Sequence, residues 1–291
     1  MQYLRLAEIL EDVREIETID FERFRFNGGE NHIKLILPNS VRPDSWITIE
    51  ANLHNADYVM ELLMATDALR RAGFDHINLL APYIPGGRQD RVMVPGEPLT
   101  IKVIADLINA QNYEVVYTLD PHSSVTPALI NNCVEISNFR IISRFIFQTF
   151  NGPDTLLVSP DAGAEKKTLW LARYSNIDVV NASKIRDVRT GQINGTKVHC
   201  DPKKIEGKTC VIVDDICDGG RTFLELAKVL KQKGAEKILL FVSHAILPLG
   251  INHLVAAGID RVFTANCFRL EHDTKFWPNL QIYNLRKEDL K

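Results

Sequence analysis

The sequence predicts an α/β protein made of two similar halves, each a mainly parallel sheet flanked by helices. Three observations carry that expectation. A helix-like end, a Gly or Asn stop and a β-branched strand recur around Gly73, Asn112, Gly234 and Gly258. Two of these units lie before residue 120 and two after residue 230. The chain's 291 residues are long for one α/β domain of about 100–150 residues and comfortable for two.

Each unit has a local reason. Ala68-Leu69-Arg70-Arg71-Ala72-Gly73 reads as a helix end, and Ile77-Asn78-Leu79-Leu80 as the strand after it. Ala110-Gln111-Asn112 before Val115-Val116-Tyr117 has the same form, with Asn in place of Gly. Lys233-Gly234 before Ile238-Leu239-Leu240, and Ala257-Gly258 before Val262-Phe263, complete the set. Gly and Asn tolerate the left-handed conformation that closes a helix, and the apolar run that follows suits a buried parallel strand. Helix–stop–strand units in series imply parallel sheets covered on both faces. Asn151-Gly152-Pro153-Asp154, before an expected strand Thr155–Ser159, places a linker at residues 141–154.

Composition narrows the function classes. With 45% hydrophobic and 24% charged residues, 16 Gly and 13 Pro, the chain is neither collagen-like, disordered nor disulfide-dense. Its net charge of 34 − 37 = −3 offers no basic excess for nucleic acid. The N-terminus lacks the apolar core of a signal peptide. The most apolar stretch, residues 238–251, contains Ser243, His244 and Pro248 and is too short to span a bilayer. Five cysteines form no C-x-x-C pair, and their odd number argues against a disulfide framework. A reduced, cytoplasmic protein, with neither nucleic acid nor membrane as partner, is the expectation.

In open α/β sheets, ligands bind beyond the carboxyl ends of the strands. After the expected strand Thr209–Val213 comes Asp214-Asp215-Ile216-Cys217-Asp218-Gly219-Gly220-Arg221-Thr222, followed by a helix to about Lys233. Phe223, Leu226, Ala227 and Leu230 give that helix its apolar face. Glycines and a helix N-terminus present N–H groups to a phosphate. The acids need another partner, and ribose hydroxyls or Mg²⁺ satisfy them. Acids beside a phosphate cradle point to a sugar phosphate; the plainer alternative is a capped structural loop.

Further candidates follow other strands. Arg88 and Arg91, with the amide of Gln89, suit a polyphosphate or a nucleobase edge, or else a solvated turn. The imidazole of His122, two residues after Asp120, can contact a metal or a triphosphate oxygen. Asp161 can hold Mg²⁺ directly or through water. Lys184 and Arg186 lie in a polar, Gly-containing stretch, residues 181–195, with the length of a lid or a solvated hairpin.

The 214–222 stretch resembles the phosphoribosyl-diphosphate-binding loop shared by phosphoribosyltransferases and ribose-phosphate diphosphokinases, also called phosphoribosyl pyrophosphate synthetases. Other segments resemble the diphosphokinase family alone. Arg88-Gln89-Asp90-Arg91 is similar to its R-Q-D-[RK], and Gly96-Glu97-Pro98-Leu99-Thr100 follows at the family's distance. Asp120-Pro121-His122 matches D-x-H, Ser159-Pro160-Asp161-Ala162-Gly163 matches S-P-D-x-G, and Lys184-Ile185-Arg186 matches K-x-R. Phe26-Asn27-Gly28-Gly29-Glu30 is similar to the adenine-side F-x-D-G-E, with Gly28 in place of the acid. The sugar-phosphate loop reads D-G-G-R-T against the family's D-T-x-G-T.

The resemblance implies two phosphoribosyltransferase-like domains: residues 1–145 for ATP, and residues 146–291 for ribose 5-phosphate, including a C-terminal tail. It implies transfer of the β,γ-diphosphoryl group of ATP to the 1-hydroxyl of ribose 5-phosphate, with Mg²⁺, in a homo-oligomer that is dimer-based or hexameric. It assigns Lys184 and Arg186 to catalysis. Phe26, Gly28, Glu30, Arg88, Gln89, Arg91 and His122 are assigned to ATP. Arg186, Asp214, Asp215, Asp218, Gly219, Gly220, Arg221 and Thr222 are assigned to the sugar phosphate, and His122 and Asp161 to the metal. A phosphoribosyltransferase, or a catalytically silent partner of a synthetase, is the alternative.

Overall fold

The computed structural model describes residues 2–10, 18–37, 45–149, 154–186, 193–268 and 277–290. The chain divides into two compact units. The first is Met1–Ser137 with Asn284–Lys291, and the second is Asn138–Tyr283.

In the first unit, β1 (Gln2–Arg5), β2 (Thr18–Arg25), β3 (Asn31–Ile36) and β4 (Ile47–Glu50) precede helix α1 (Ala56–Arg71). Strand β5 (Ile77–Leu80), helix α2 (Thr100–Asn109), β6 (Val116–Leu119), α3 (Val125–Leu129) and β7 (Cys133–Ile136) follow. The second unit holds α4 (Phe139–Thr149), β8 (Thr155–Ser159), α5 (Ala162–Ser175), β9 (Asp178–Arg186) and β10 (Ile193–Val198). It continues with β11 (Thr209–Cys217), α6 (Arg221–Gln232), β12 (Lys237–Ala245), α7 (Asn252–Ala256), β13 (Arg261–Cys267) and β14 (Leu280–Ile282).

The strand orders are β3-β2-β1-β4-β5-β6-β7 and β10-β9-β8-β11-β12-β13-β14. Counted from the start of each unit, both sheets therefore run 3-2-1-4-5-6-7. In each, only the outer hairpin is antiparallel, β2 with β3 and β9 with β10. The two halves share one topology, as the recurring units predict.

The stops behave as predicted: Gly73, Asn112, Gly234 and Gly258 all have positive φ, at 92°, 53°, 86° and 101°. Helix α6 buries Phe223, Leu226, Ala227 and Leu230, the four positions of its predicted apolar face. These pack with Ile212, Leu240 and Val262 of the second core. Leu4, Ile49, Leu62, Leu79 and Ile101 belong to the separate core of the first unit.

Three expectations need correction. The linker placed at residues 141–154 is largely helix α4, whose Ile141, Ile142, Phe145 and Ile146 are buried. Residues 151–153 of the expected turn lie outside the described residues. The boundary consequently falls at 137/138 instead of 145/146, and the tail from Asn284 packs with the first unit, where Leu285 bridges to Leu10. Finally, β11 runs to Cys217, because its hydrogen-bonded register with β12 continues to Cys217–Ala245. Asp214 and Asp215 are strand residues, and the loop proper is only residues 218–220.

Candidate functional site

In each sheet the connection direction reverses between the unit's first and fourth strands, so the crevice at their carboxyl ends is the natural ligand position. In the second unit these strands are β8 and β11, paired in parallel from Thr155–Thr209 to Val158–Ile212. Past this pairing lie Asp161 on one side and, on the other, the end of β11 from Asp214 with the loop and helix start to Thr222.

Asp161 caps α5. Its Oδ1 accepts from the N–H groups of Gly163 and Ala164 at 3.0 and 3.3 Å. The buried Ser159 hydroxyl donates to the Asp161 carbonyl at 2.9 Å. Across the crevice, the Asp215 N–H donates to Asp214 Oδ1 at 2.9 Å. Burial, reinforced by the Asp215 carboxylate and more weakly by Asp161, pushes the Asp214 carboxyl well above its ordinary range. Burial, with the charges of Asp214 and Asp218, also pushes the Cys217 thiol up to about 12, so this cysteine is no nucleophile.

The cradle follows at once. Gly220, at φ 74°, is the N-cap of α6 and supplies no side chain to its N–H groups. A Cβ there would lie 2.7 Å from Leu254 Cδ2 and 3.3 Å from His253 Nε2, so close packing against α7 requires glycine. Gly219 is exposed, and a side chain at that position would meet nothing within 4 Å. Arg221 and Thr222 open the helix, and Arg221 is exposed. Acids, free helix-end amides and a cation thus lie together, able to receive hydroxyls and a phosphate. Sequence reasoning missed His253, whose Nε2 lies 3.2 Å from the Gly219 carbonyl oxygen; its one legible signal was its place after the next strand.

Lys184 and Arg186 lie on β9. That strand pairs with β8 up to Ser159–Asn181, then runs on with β10 alone, Lys184 opposite Thr196 and Arg186 opposite Ile193. Lys184 is three residues past the end of β8, about 10 Å beyond the carboxyl edge. The stretch expected as a lid therefore has two strand arms, while residues 187–192 lie outside the described residues.

In the first unit, the equivalent crevice between β1 and β4 is filled by protein. Glu50, fully buried, pairs with Arg5 at 3.1 Å and accepts from the N–H groups of Ile9 and Leu10. Burial still raises the Glu50 carboxyl despite those partners. The predicted nucleotide residues instead follow the adjacent strands β5 and β6. Gly86, at φ 78°, turns the first loop against Thr100, and exposed Arg88, Gln89 and Arg91 follow it. Arg91 pairs with Asp90 at 3.1 Å. Hydrogen bonds from Arg91 and then Ser123 hold the Asp90 carboxyl below its ordinary range. The bond to Ser123 ties the arginine loop to the segment that carries exposed His122.

Phe26, Gly28 and Glu30 form the turn of the β2–β3 hairpin, closed by the Phe26 N–H donating to the Glu30 carbonyl at 2.9 Å. Phe26 is exposed and clusters with Phe24 and His32, at ring separations of 5.1 and 5.8 Å. Gly28 has open space around it. Strands β1 and β4 separate β2 from β5 in the sheet, a lateral distance of about 14 Å.

The described residues contain no group of three or more His, Cys, Asp or Glu that could hold a metal ion. Among them no helix is long and apolar enough to cross a membrane. All five cysteines are free thiols.

Comparison with known proteins assigns both units. Residues 2–111 match the family model for the N-terminal domain of ribose phosphate pyrophosphokinase, and residues 135–249 match the phosphoribosyl transferase domain. A ribose-phosphate pyrophosphokinase of Granulibacter bethesdensis is 31% identical over 223 residues, covering 75% of this chain and 70% of that protein. One from Helicobacter hepaticus is 29% identical over 248 residues, covering 84% and 78%. The phosphoribosylpyrophosphate synthetase of Mycobacterium smegmatis shares the fold, with a TM-score of 0.79 over 97% of this chain and 93% of that one, at 22% identity. The two matched models, the duplicated sheet and the relatives agree: the chain belongs to the ribose-phosphate pyrophosphokinase family.

Proposed function

We propose that the protein transfers the β,γ-diphosphoryl group of ATP to the 1-hydroxyl of ribose 5-phosphate, giving 5-phosphoribosyl 1-diphosphate and AMP. The observation that carries this reading is the second-unit crevice, where the Asp214–Asp215 pair adjoins the Gly220 cradle at a strand-order reversal. The family membership supports it.

In this reading Asp214, Asp215 and Asp218 accept hydrogen bonds from the ribose hydroxyls. Gly219, Gly220, Arg221 and Thr222 hold the 5-phosphate through N–H groups and one cation. Arg88, Gln89, Arg91 and His122 take the triphosphate and base. Residues 26–30 serve the adenine, and the protein assembles as a homo-oligomer, dimer-based or hexameric.

The sugar oxygen attacks the β-phosphorus. A bond from O1 to that phosphorus forms, the bond from the phosphorus to the α,β-bridging oxygen breaks, and AMP leaves with the bridging oxygen. The O1 proton passes to solvent. Lys184 and Arg186 neutralise charge that grows on the transferring group, which is where positioning and electrostatics act in such reactions.

The residues fit a metal shared with substrate. Asp161, Asp214 and Asp215 repel one another, and a cation offsets that repulsion. Among the described residues no three His, Cys, Asp or Glu side chains group to hold a metal, and Mg²⁺ readily takes substrate oxygens and water as its other ligands. Asp161 in the second unit and, separately, His122 in the first are the residues proposed to contact Mg²⁺, which would supply charge neutralisation to the polyphosphate.

The test is a coupled assay for AMP. AMP formed from ATP only when ribose 5-phosphate is added supports the reading. A folded protein that forms no AMP, or one that instead joins 5-phosphoribosyl 1-diphosphate to a free base, overturns it.

A further inference from the structure

We infer that His253 is a positioning residue that orients the sugar-phosphate cradle by holding the Gly219–Gly220 peptide in one orientation; the inference rests on the reading of that loop as the ribose 5-phosphate site.

The chain between Asp218 and α6 contains two successive glycines, and no side-chain contact of their own fixes the peptide that joins them. His253, on α7, lies beneath it. Its Nε2 is 3.2 Å from the Gly219 carbonyl oxygen, and it would touch a Cβ on Gly220 at 3.3 Å. A carbonyl oxygen only accepts, so Nε2 is the donor. Nδ1 is buried and has no hydrogen-bond partner among the described residues, so the ring is held through Nε2 alone.

The consequence follows from peptide geometry. The described residues contain no cis peptide bond, and in a planar trans peptide the carbonyl and the following N–H point in opposite directions. Drawing the Gly219 carbonyl toward α7 turns the Gly220 N–H away from α7, to the side where the helix-end amides are open. That N–H joins those at the start of α6 as a phosphate donor. With two glycines in series the reverse orientation costs little backbone strain. Without the imidazole the peptide can flip and present its carbonyl oxygen to the phosphate. A donor would then be replaced by a repelling acceptor.

Side-chain reach supplies the test. Gln can place an amide N–H near the position of Nε2, whereas Asn is too short and Leu has no donor. The measurement is steady-state kinetics of AMP formation for the parent, H253Q, H253N and H253L, with each substrate varied in turn. The expected result is a KM for ribose 5-phosphate raised about tenfold in H253N and H253L, the scale of one misdirected hydrogen bond. H253Q should stay within about threefold of the parent, and KM for ATP should stay within about twofold in all four. If H253L fails to fold, the H253N–H253Q comparison decides. Equal ribose 5-phosphate KM values for H253Q and H253N overturn the inference, as does a matching rise in both KM values. A parent that forms no AMP overturns the sugar-phosphate reading itself, and the role of His253 falls with it.

Discussion

Asp161 follows the end of β8 and Asp214 lies on the adjacent parallel strand β11 just past its pairing with β8, and the charge of the first adds to the burial that raises the pKa of the second. The fold provides this acidic crevice at a cost. A carboxyl whose folded-state pKa is raised binds more protons folded than unfolded between its ordinary value and the raised one. Stability therefore falls as pH rises through that window, and the full penalty applies above it.

Asp214→Asn removes that penalty. At pH 8 the variant should melt about 2–4 °C above the parent, the scale of 1 kcal/mol in a chain of this size. Near pH 4 the difference should vanish. Activity with ribose 5-phosphate should be lost, the usual exchange of stability for a charged site. Thermal melts across pH 4–8 check the first part and the AMP assay checks the second.

Adjacent glycines in the cradle should behave differently. Gly220→Ala meets both a positive φ and a contact of 2.7 Å with Leu254, and should cost about 2–4 kcal/mol in urea unfolding. Gly219→Ala meets open space and should cost under about 0.5 kcal/mol. Equal losses would show that α7 does not confine the loop as described.

The Arg5–Glu50 pair, with Glu50 fully buried, occupies the end of β1 and β4 in the first unit. Arg5→Ala leaves a carboxylate buried without its ion partner and should cost about 3 kcal/mol at pH 8. Because burial already raises Glu50, the loss should shrink as pH falls and the carboxyl takes up a proton above its ordinary range. Urea unfolding at pH 8 and at lower pH measures this.

Lys184→Ala should lower kcat by about 100-fold or more with KM for ATP nearly unchanged, because its cation is assigned to charge that develops only in the transition state. Turnover within a few fold of the parent would remove Lys184 from the catalytic assignment.

What the sequence revealed depended on how local each signal was. The buried face of helix α6 was legible position by position, and its end to within a residue, because a Gly stop and a 3.6-residue apolar period are both local. The strand Thr155–Ser159 was legible for the same reason. Asn132 and Asn176 also close their turns at φ 53°, yet drew no notice, since Asn is less diagnostic than Gly. Asp214 and Asp215 read as loop because acids are rare in buried strands. Only pairing with β12, distant in sequence, keeps them extended. Helix α4 was hidden by its β-branched residues and the turn signals after it. The bond from His253 to Gly219 spans 34 residues and left no pattern to read.

The central claim is that an intact diphosphoryl group moves in one step from ATP to a sugar phosphate. Phosphorus NMR of the products tests it most directly. The account predicts AMP and a sugar 1-diphosphate in equal amounts, dependent on ribose 5-phosphate, without ADP. ADP appearing with a singly phosphorylated sugar, or free diphosphate released without a sugar diphosphate, would contradict it.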